Sequence, residues 1–264
     1  MKHMIRSVLL CTAAMASPGV MAGVTGNAGA VSEYLFRGIE QSGGAALQGG
    51  IDWSGASGIY AGTWASNTGG PAAAGGTELD LYGGFAFKAG PVGLDFGAIY
   101  YYFSEDEEDI TAASLGLPAG TAIDFDYPEI YAKLSVSYFA FQVYYTSEYL
   151  GDTNETFANA STPKKDTDFI YLNVLGNFPL SDTLTLGVQV GNSSGDGAEV
   201  AWDAQATDGY TDYSLSLTKT LDNGFAFSFG LYDTTLEIGD GFGTMPGDDD
   251  GIKAVVGLKK TFDL

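Results

Sequence analysis

In a chain of 264 residues, 33 Asp and Glu stand against 11 Lys and Arg, a formal net charge of −22, and such a surface repels nucleic acid and anionic lipid. The single Cys and single His are Cys11 and His3; both fall in an N-terminal leader, so the mature chain is expected to lack any disulfide, any Cys or His metal site and any imidazole catalyst. Hydrophobic residues make up 45%, yet no mature stretch reaches the run of about 18 apolar residues that a membrane helix requires, which leaves alternating strands to carry that apolar surface through lipid.

The leader opens with Lys2 and Arg6, continues through an apolar stretch over 8–15, breaks at Pro18-Gly19 and ends on Val20-Met21-Ala22. Small residues there suit a signal peptidase, so residues 1–22 are expected to be a cleaved signal peptide and 23–264 a single outer-membrane β-barrel. Leu10 before Cys11 argues against lipidation, which requires a small residue at that position.

About twelve strands follow, near residues 25–37, 45–53, 59–67, 77–88, 92–103, 127–138, 139–149, 167–178, 183–192, 210–220, 225–235 and 251–262. The alternation is clearest late in the chain. Leu184, Leu186, Val188 and Val190 interleave with Thr185, Gly187 and Gln189; Phe225, Phe227, Phe229 and Leu231 interleave with Ala226, Ser228 and Gly230. One face suits lipid and the other a wet interior. A soluble sandwich alternates too, and it is the Gly and Tyr load and the loop lengths that point to an all-β, antiparallel up-and-down transmembrane barrel.

Short connections at Gly55-Ala56-Ser57, Ala89-Gly90-Pro91, Pro179-Leu180-Ser181-Asp182 and Leu221-Asp222-Asn223-Gly224 carry tight-turn residues. The connection near Tyr138-Phe139 lacks them. Longer connections span 38–44, 68–76, 104–126, 150–166, 193–209 and 236–250. Short periplasmic turns and long external loops are the barrel habit, so both termini are expected in the periplasm.

The long loops collect acid: Glu105-Asp106-Glu107-Glu108-Asp109, then Asp196, Glu199 and Asp203, then Asp248-Asp249-Asp250. These read as a solvated rim, or as a vestibule that concentrates cations or holds divalent ions loosely. No loop has EF-hand spacing, and no P-loop or dinucleotide fingerprint occurs. Aromatics gather near strand ends, with Tyr34, Phe36, Trp64, the run Tyr100 to Phe103, Tyr144-Tyr145, Tyr149, Tyr210 and Tyr232 toward the long loops. Trp53, Phe87, Tyr138-Phe139, Phe178, Phe225 and Phe262 lie toward the short turns. Two interfacial belts are expected from them.

Strand parity assigns faces. With Leu79, Leu81, Phe85 and Phe87 toward lipid, Glu78, Asp80, Tyr82 and Lys88 point inward, and the same parity sends Glu33, Arg37, Asp52, Asp95, Glu129, Tyr131, Lys133 and Asp212 into the lumen. A basic residue on the lipid face costs about 2 to 4 kcal/mol near the midplane. Glu33 and Arg37, on one strand face, are the first candidates for a constriction network. Such an interior either rigidifies a closed barrel through paired charges or forms a cation-preferring constriction.

The opening segments read Val24-Thr25-Gly26-Asn27, Ser32-Glu33-Tyr34-Leu35-Phe36-Arg37-Gly38-Ile39-Glu40-Gln41, Leu47-Gln48-Gly49-Gly50-Ile51-Asp52-Trp53, Gly58-Ile59-Tyr60-Ala61-Gly62-Thr63-Trp64-Ala65-Ser66-Asn67 and Glu78-Leu79-Asp80-Leu81-Tyr82-Gly83-Gly84. Together they resemble the start of the TorF family of porins, Gram-negative outer-membrane proteins. The resemblance covers about the first quarter of the mature chain, with Tyr127-Pro128-Glu129-Ile130-Tyr131 similar to a later family strand. It implies the outer membrane and a pore whose solute is mostly unknown. Outer-membrane barrels usually finish on an aromatic residue that the insertion machinery recognises, whereas this chain runs past Phe262 to Asp263-Leu264.

The reading is a monomeric or weakly oligomeric porin passing small hydrophilic solutes, with a preference for cations, and with outer-membrane lipid and the barrel-insertion machinery as partners. No enzyme activity, cofactor, metal or nucleic acid is expected. Glu78 and Asp80 offer a formal carboxylate pair for hydrolysis, but adjacent acids on an inward face are common without catalysis. The alternative is a structural or adhesive barrel with a plugged lumen and ligand-binding external loops.

Overall fold

The computed structural model describes residues 23–69, 76–105, 124–160, 165–202, 209–236 and 251–264. The wall is built from β1 (Gly23–Val31), β4 (Ala46–Ser54), β5 (Ile59–Thr68), β6 (Gly76–Ala89), β7 (Val92–Glu105), β8 (Tyr127–Val136), β9 (Phe139–Thr146), β10 (Phe169–Ser181), β11 (Leu184–Ser194), β12 (Tyr210–Thr220), β13 (Phe225–Thr234) and β14 (Lys253–Asp263). Each pairs antiparallel with its chain neighbours, and β1 pairs with both β4 and β14. The result is a closed twelve-stranded barrel, with no sheet edge left to expose backbone polar groups to lipid. All twelve predicted strands form.

Parity sorts the side chains as alternation requires. Leu81, Phe85 and Phe87 of β6 are exposed while Glu78, Asp80, Tyr82 and Ala86 are buried; on β7, Phe96, Tyr100 and Tyr102 face out while Asp95, Ile99, Tyr101 and Phe103 face in. The start of β1 and the end of β14 lie at the short-turn end, where Gly23 is in register with Ser54 and Leu264 N donates to Val24 O at 3.0 Å.

Three expectations require correction. The predicted first strand over 25–37 ends at Val31, and the chain then leaves the wall to form a separate hairpin from β2 (Leu35–Phe36) and β3 (Ile39–Glu40). Its turn residues, Arg37 and Gly38, have φ of 51° and 83°. Two successive positive φ values are what a two-residue hairpin turn demands, and this local reversal rather than continued alternation decides where the strand stops. Consequently Glu33 and Arg37 do not share a strand face.

Two connections read as loops contain helices, α1 (Gly151–Ala160) and α2 (Asp196–Trp202). Short helices of this kind, polar on most sides, give little periodic signal, and packing at the barrel mouth supports them. Asn154 of α1 donates to Tyr149 O at 2.9 Å and to Gly197 O of α2 at 3.1 Å. Thr153 binds Asp124 through both backbone and side chain, so these connections brace one another.

The loop-end aromatic belt is also split. Tyr100, Tyr102 and Tyr145 face outward, but Tyr34, Tyr101, Phe103, Tyr144, Tyr149 and Tyr210 are buried inside. At the turn end Trp53, Phe87, Tyr138, Phe139 and Phe262 are exposed as a belt residue should be. The leader, residues 106–109, Asp203 and Asp248-Asp249-Asp250 lie outside the described residues.

Candidate functional site

The barrel interior is uneven. Along β5 to β10 it is filled by aromatic rings: Tyr101 stacks on Tyr127 at 4.8 Å, Tyr127 meets Tyr149 edge-on at 5.3 Å, and Tyr149 stacks on Phe169 at 3.9 Å. Tyr131, Tyr144 and Tyr171 continue the set. Into this aromatic half reaches the β2–β3 hairpin, with Arg37 at its tip.

Arg37 makes a two-pronged ion pair with Glu129 of β8, Nη1 to Oε1 at 2.9 Å and Nη2 to Oε2 at 2.7 Å. Its guanidinium also lies over the rings of Tyr171 (4.5 Å), Phe36 (4.6 Å), Phe169 (5.0 Å) and Tyr144 (5.2 Å). A planar, weakly hydrated cation suits such a site because it can pair edge-on with a carboxylate and face-on with π clouds.

The hairpin is anchored on its other side as well. Lys253 at the start of β14 bridges Glu33 at 2.9 Å and Glu40 at 2.8 Å. Tyr34 N donates to Ser42 Oγ at 2.8 Å, and the Tyr34 ring meets Trp64 edge-on at 5.4 Å. Leu35 packs among Val31, Ala46 and Val255. Glu33, outside the wall strands, has its carboxyl raised above the usual range by burial, which outweighs the Lys253 contact.

The inward carboxylates share one partner chemistry. Glu78 accepts from Tyr34 Oη at 3.2 Å, Asp95 from Tyr60 Oη, Asp52 from Tyr82 Oη, Glu129 from Tyr101 Oη at 2.9 Å, and Asp212 from Tyr171 Oη at 3.1 Å and Gln189 Nε2 at 3.0 Å. Tyr131 is hydrogen-bonded to Tyr60 through their hydroxyls. Lys133 lies in register opposite Asp95, and Asp80 is buried two residues from Glu78 on the same face. A phenol is a strong donor on a rigid stem, so each pair gives one carboxylate oxygen a partner at little cost in side-chain freedom.

The tyrosine partners were legible through parity. Tyr82 lies two residues from Asp80 on β6, and Tyr101 lies six residues from Asp95 on β7, so both turn inward with the acids of their own strands. Which carboxylate each phenol reaches had no local signal, and neither did the Arg37–Glu129 pairing, which joins a turn to a strand 92 residues away.

The other half, along β10 to β13, is open. A pocket continuous with solvent lies between the hairpin and the wall, lined by Arg37, Asp212, Asn177, Gln189, Ser214 and Ser216 among others. At the rim, carboxylate oxygens of Asp166, Asp168 and Asp196 lie within 4.8 Å of one another.

This architecture is similar to solved porins. The NanC porin matches with a TM-score of 0.53 at 10% identity over 92% of this chain and 100% of that one. The KdgM porin matches with a TM-score of 0.50 at 9% identity over 90% and 99%. Identities this low speak for a shared barrel fold. No curated protein matches the chain. A family model described as bacterial protein of unknown function, Gcw_chp, matches residues 13–262, and the chain belongs to that family.

Proposed function

We propose that the protein is an outer-membrane channel of the porin kind, through which small hydrophilic solutes diffuse along the open β10–β13 side of the lumen. The observation that carries this reading is the pocket beside Arg37 and Asp212: the hairpin and aromatic rings fill one half of the barrel and leave the other polar and unfilled. The porin-like fold and the TorF resemblance of the opening segments support it.

In this reading residues 1–22 are the export signal, the short-turn end with both termini faces the periplasm, and the exposed apolar belt meets outer-membrane lipid after insertion by the barrel-assembly machinery of a Gram-negative cell. Arg37 and Asp212 line the passage. Asp52, Glu78, Asp80, Asp95, Glu129 and Asp212 outnumber Arg37, Lys133, Lys253 and Lys259 inside, so the field favours cations over anions. Tyr131 holds the acidic wall in place through Tyr60.

The test is single-channel current of the refolded protein in planar bilayers under a salt gradient. Discrete steps with a cation-favouring reversal potential, reduced in Asp212→Asn, are the expected result. A folded barrel that stays silent would overturn the channel. The Arg37–Glu129 contact favours a second reading, a plugged barrel whose external loops bind a partner; that reading expects silence in the wild type and current once the hairpin tip is removed.

A further inference from the structure

The open half of the lumen differs in chemistry from the filled half. Its two charged groups have opposite sign and are already engaged, Arg37 by Glu129 and Asp212 by Tyr171 and Gln189. What remains is a face of small neutral polar groups. Ser214, Ser216 and Thr218 follow one another at every second position of β12, about 6.8 Å apart along the strand.

Neighbouring strands extend these positions into rows. Gln189 is in register with Ser214, Gly187 with Ser216 and Thr185 with Thr218 across β11 and β12. Asn177 of β10 stands opposite Gly187, and Ser228 of β13 opposite Thr218. Gly187 keeps the middle row shallow, since a Cβ there would come within 2.6 Å of Ser216 Oγ. Tyr232 adds an aromatic ring to the same pocket, and Leu35 and Leu175 add apolar surface.

Hydroxyls and amides both donate and accept, so a solute carrying many hydroxyls can exchange its water for them group by group. An ion gains less from these groups, because neutral dipoles do not replace its full hydration. An aromatic ring and apolar side chains beside the rows suit the C–H faces of the same solute.

We propose that the Ser214–Ser216–Thr218 face, with Asn177 and Gln189, is a weak binding site for an uncharged polyhydroxylated solute, a sugar or polyol, on its way through the barrel. Transit of the solute rests on the channel reading above; its binding does not.

The experiment uses the full chain, expressed, exported and purified from membranes, with folding checked by heat-modifiable gel migration. Sorbitol is the uncharged probe and gluconate the charged probe of matched size. Added sorbitol should interrupt the salt current and swell liposomes faster than gluconate. In the triple variant Ser214→Ala, Ser216→Ala, Thr218→Val the sorbitol effect should fall about fivefold or more while salt conductance persists; Ser216→Ala alone serves if the triple variant does not fold. A conducting channel indifferent to sorbitol, or equally responsive in the variant, overturns the site and leaves the channel standing. If the wild type conducts nothing, calorimetry of sorbitol with the detergent-solubilised protein decides: heat that the variant loses upholds the site without the channel, and no heat overturns it.

Discussion

Arg37 and Glu129, 92 residues apart, meet as a two-pronged ion pair inside the barrel, with Tyr101 Oη as a second donor to the same carboxylate at 2.9 Å. The pair joins a hairpin that belongs to no wall strand to the inner face of β8. It explains how a residue in left-handed conformation, φ 51°, is retained at that tip: the strain costs roughly 1 to 2 kcal/mol, and the buried contacts hold it.

Arg37→Ala removes one member of a pair whose side chains are 4% and 0% exposed. Leaving a buried carboxylate unpaired typically costs about 3 to 5 kcal/mol. The double variant Arg37→Met, Glu129→Met should recover most of that loss. Urea unfolding of the refolded barrels, followed by tryptophan fluorescence, checks both; equal destabilisation of the single and double variants would contradict the pairing.

Lys253→Met breaks the bridges to Glu33 and Glu40 but leaves the inner contact of Arg37. All three side chains retain partial solvent exposure, so the effect on global stability should stay within about 1 kcal/mol. The hairpin loses its tie to β14, and channel recordings should show more frequent flicker than the wild type.

Glu33→Gln gives a pH dependence of defined sign. Burial raises the Glu33 carboxyl in the folded protein, so the folded state favours its protonated form. The contribution is greatest at low pH and is lost as pH rises through the raised value. At neutral pH Glu33→Gln should therefore be as stable as the wild type or more so, and the advantage should vanish on acidification. Heat-modifiability midpoints at the two pH values measure it.

Gly58→Ala tests the turn between β4 and β5. Gly58 has φ 92°, and a Cβ there would come within 2.2 Å of Ala86 O. Both the backbone conformation and the clash oppose the substitution, with a cost of at least about 1 kcal/mol. Slower refolding into lipid vesicles, with unchanged current once folded, is the expected outcome.

The wall was readable residue by residue. Alternation over β6, β7, β11 and β13 carries its own face assignment, because successive side chains of a strand point to opposite faces of the wall. The inward placement of Glu78, Asp80, Asp95, Glu129 and Asp212 followed from the same count. The β2–β3 hairpin did not follow, because the apolar run Tyr34-Leu35-Phe36 between Glu33 and Arg37 reads as more strand and only the Arg37-Gly38 turn shows that the strand has ended. Helices α1 and α2 were hidden for a related reason: their stability comes from neighbours across the barrel mouth.

Taken alone, the amino-acid order determined the class of fold, the strand count, the outward apolar surface and which acids turn inward, since each depends on a period of two within one segment. Tertiary structure decided what those acids do. Closure of the sheet brings tyrosine hydroxyls from other strands onto Asp95, Asp52, Glu129 and Asp212, and the segment that leaves the wall brings Tyr34 onto Glu78 and Arg37 into the aromatic half, beside the Ser and Thr face of β12. Such pairings join residues far apart in sequence, and their energy depends on distance and burial, which no local pattern records.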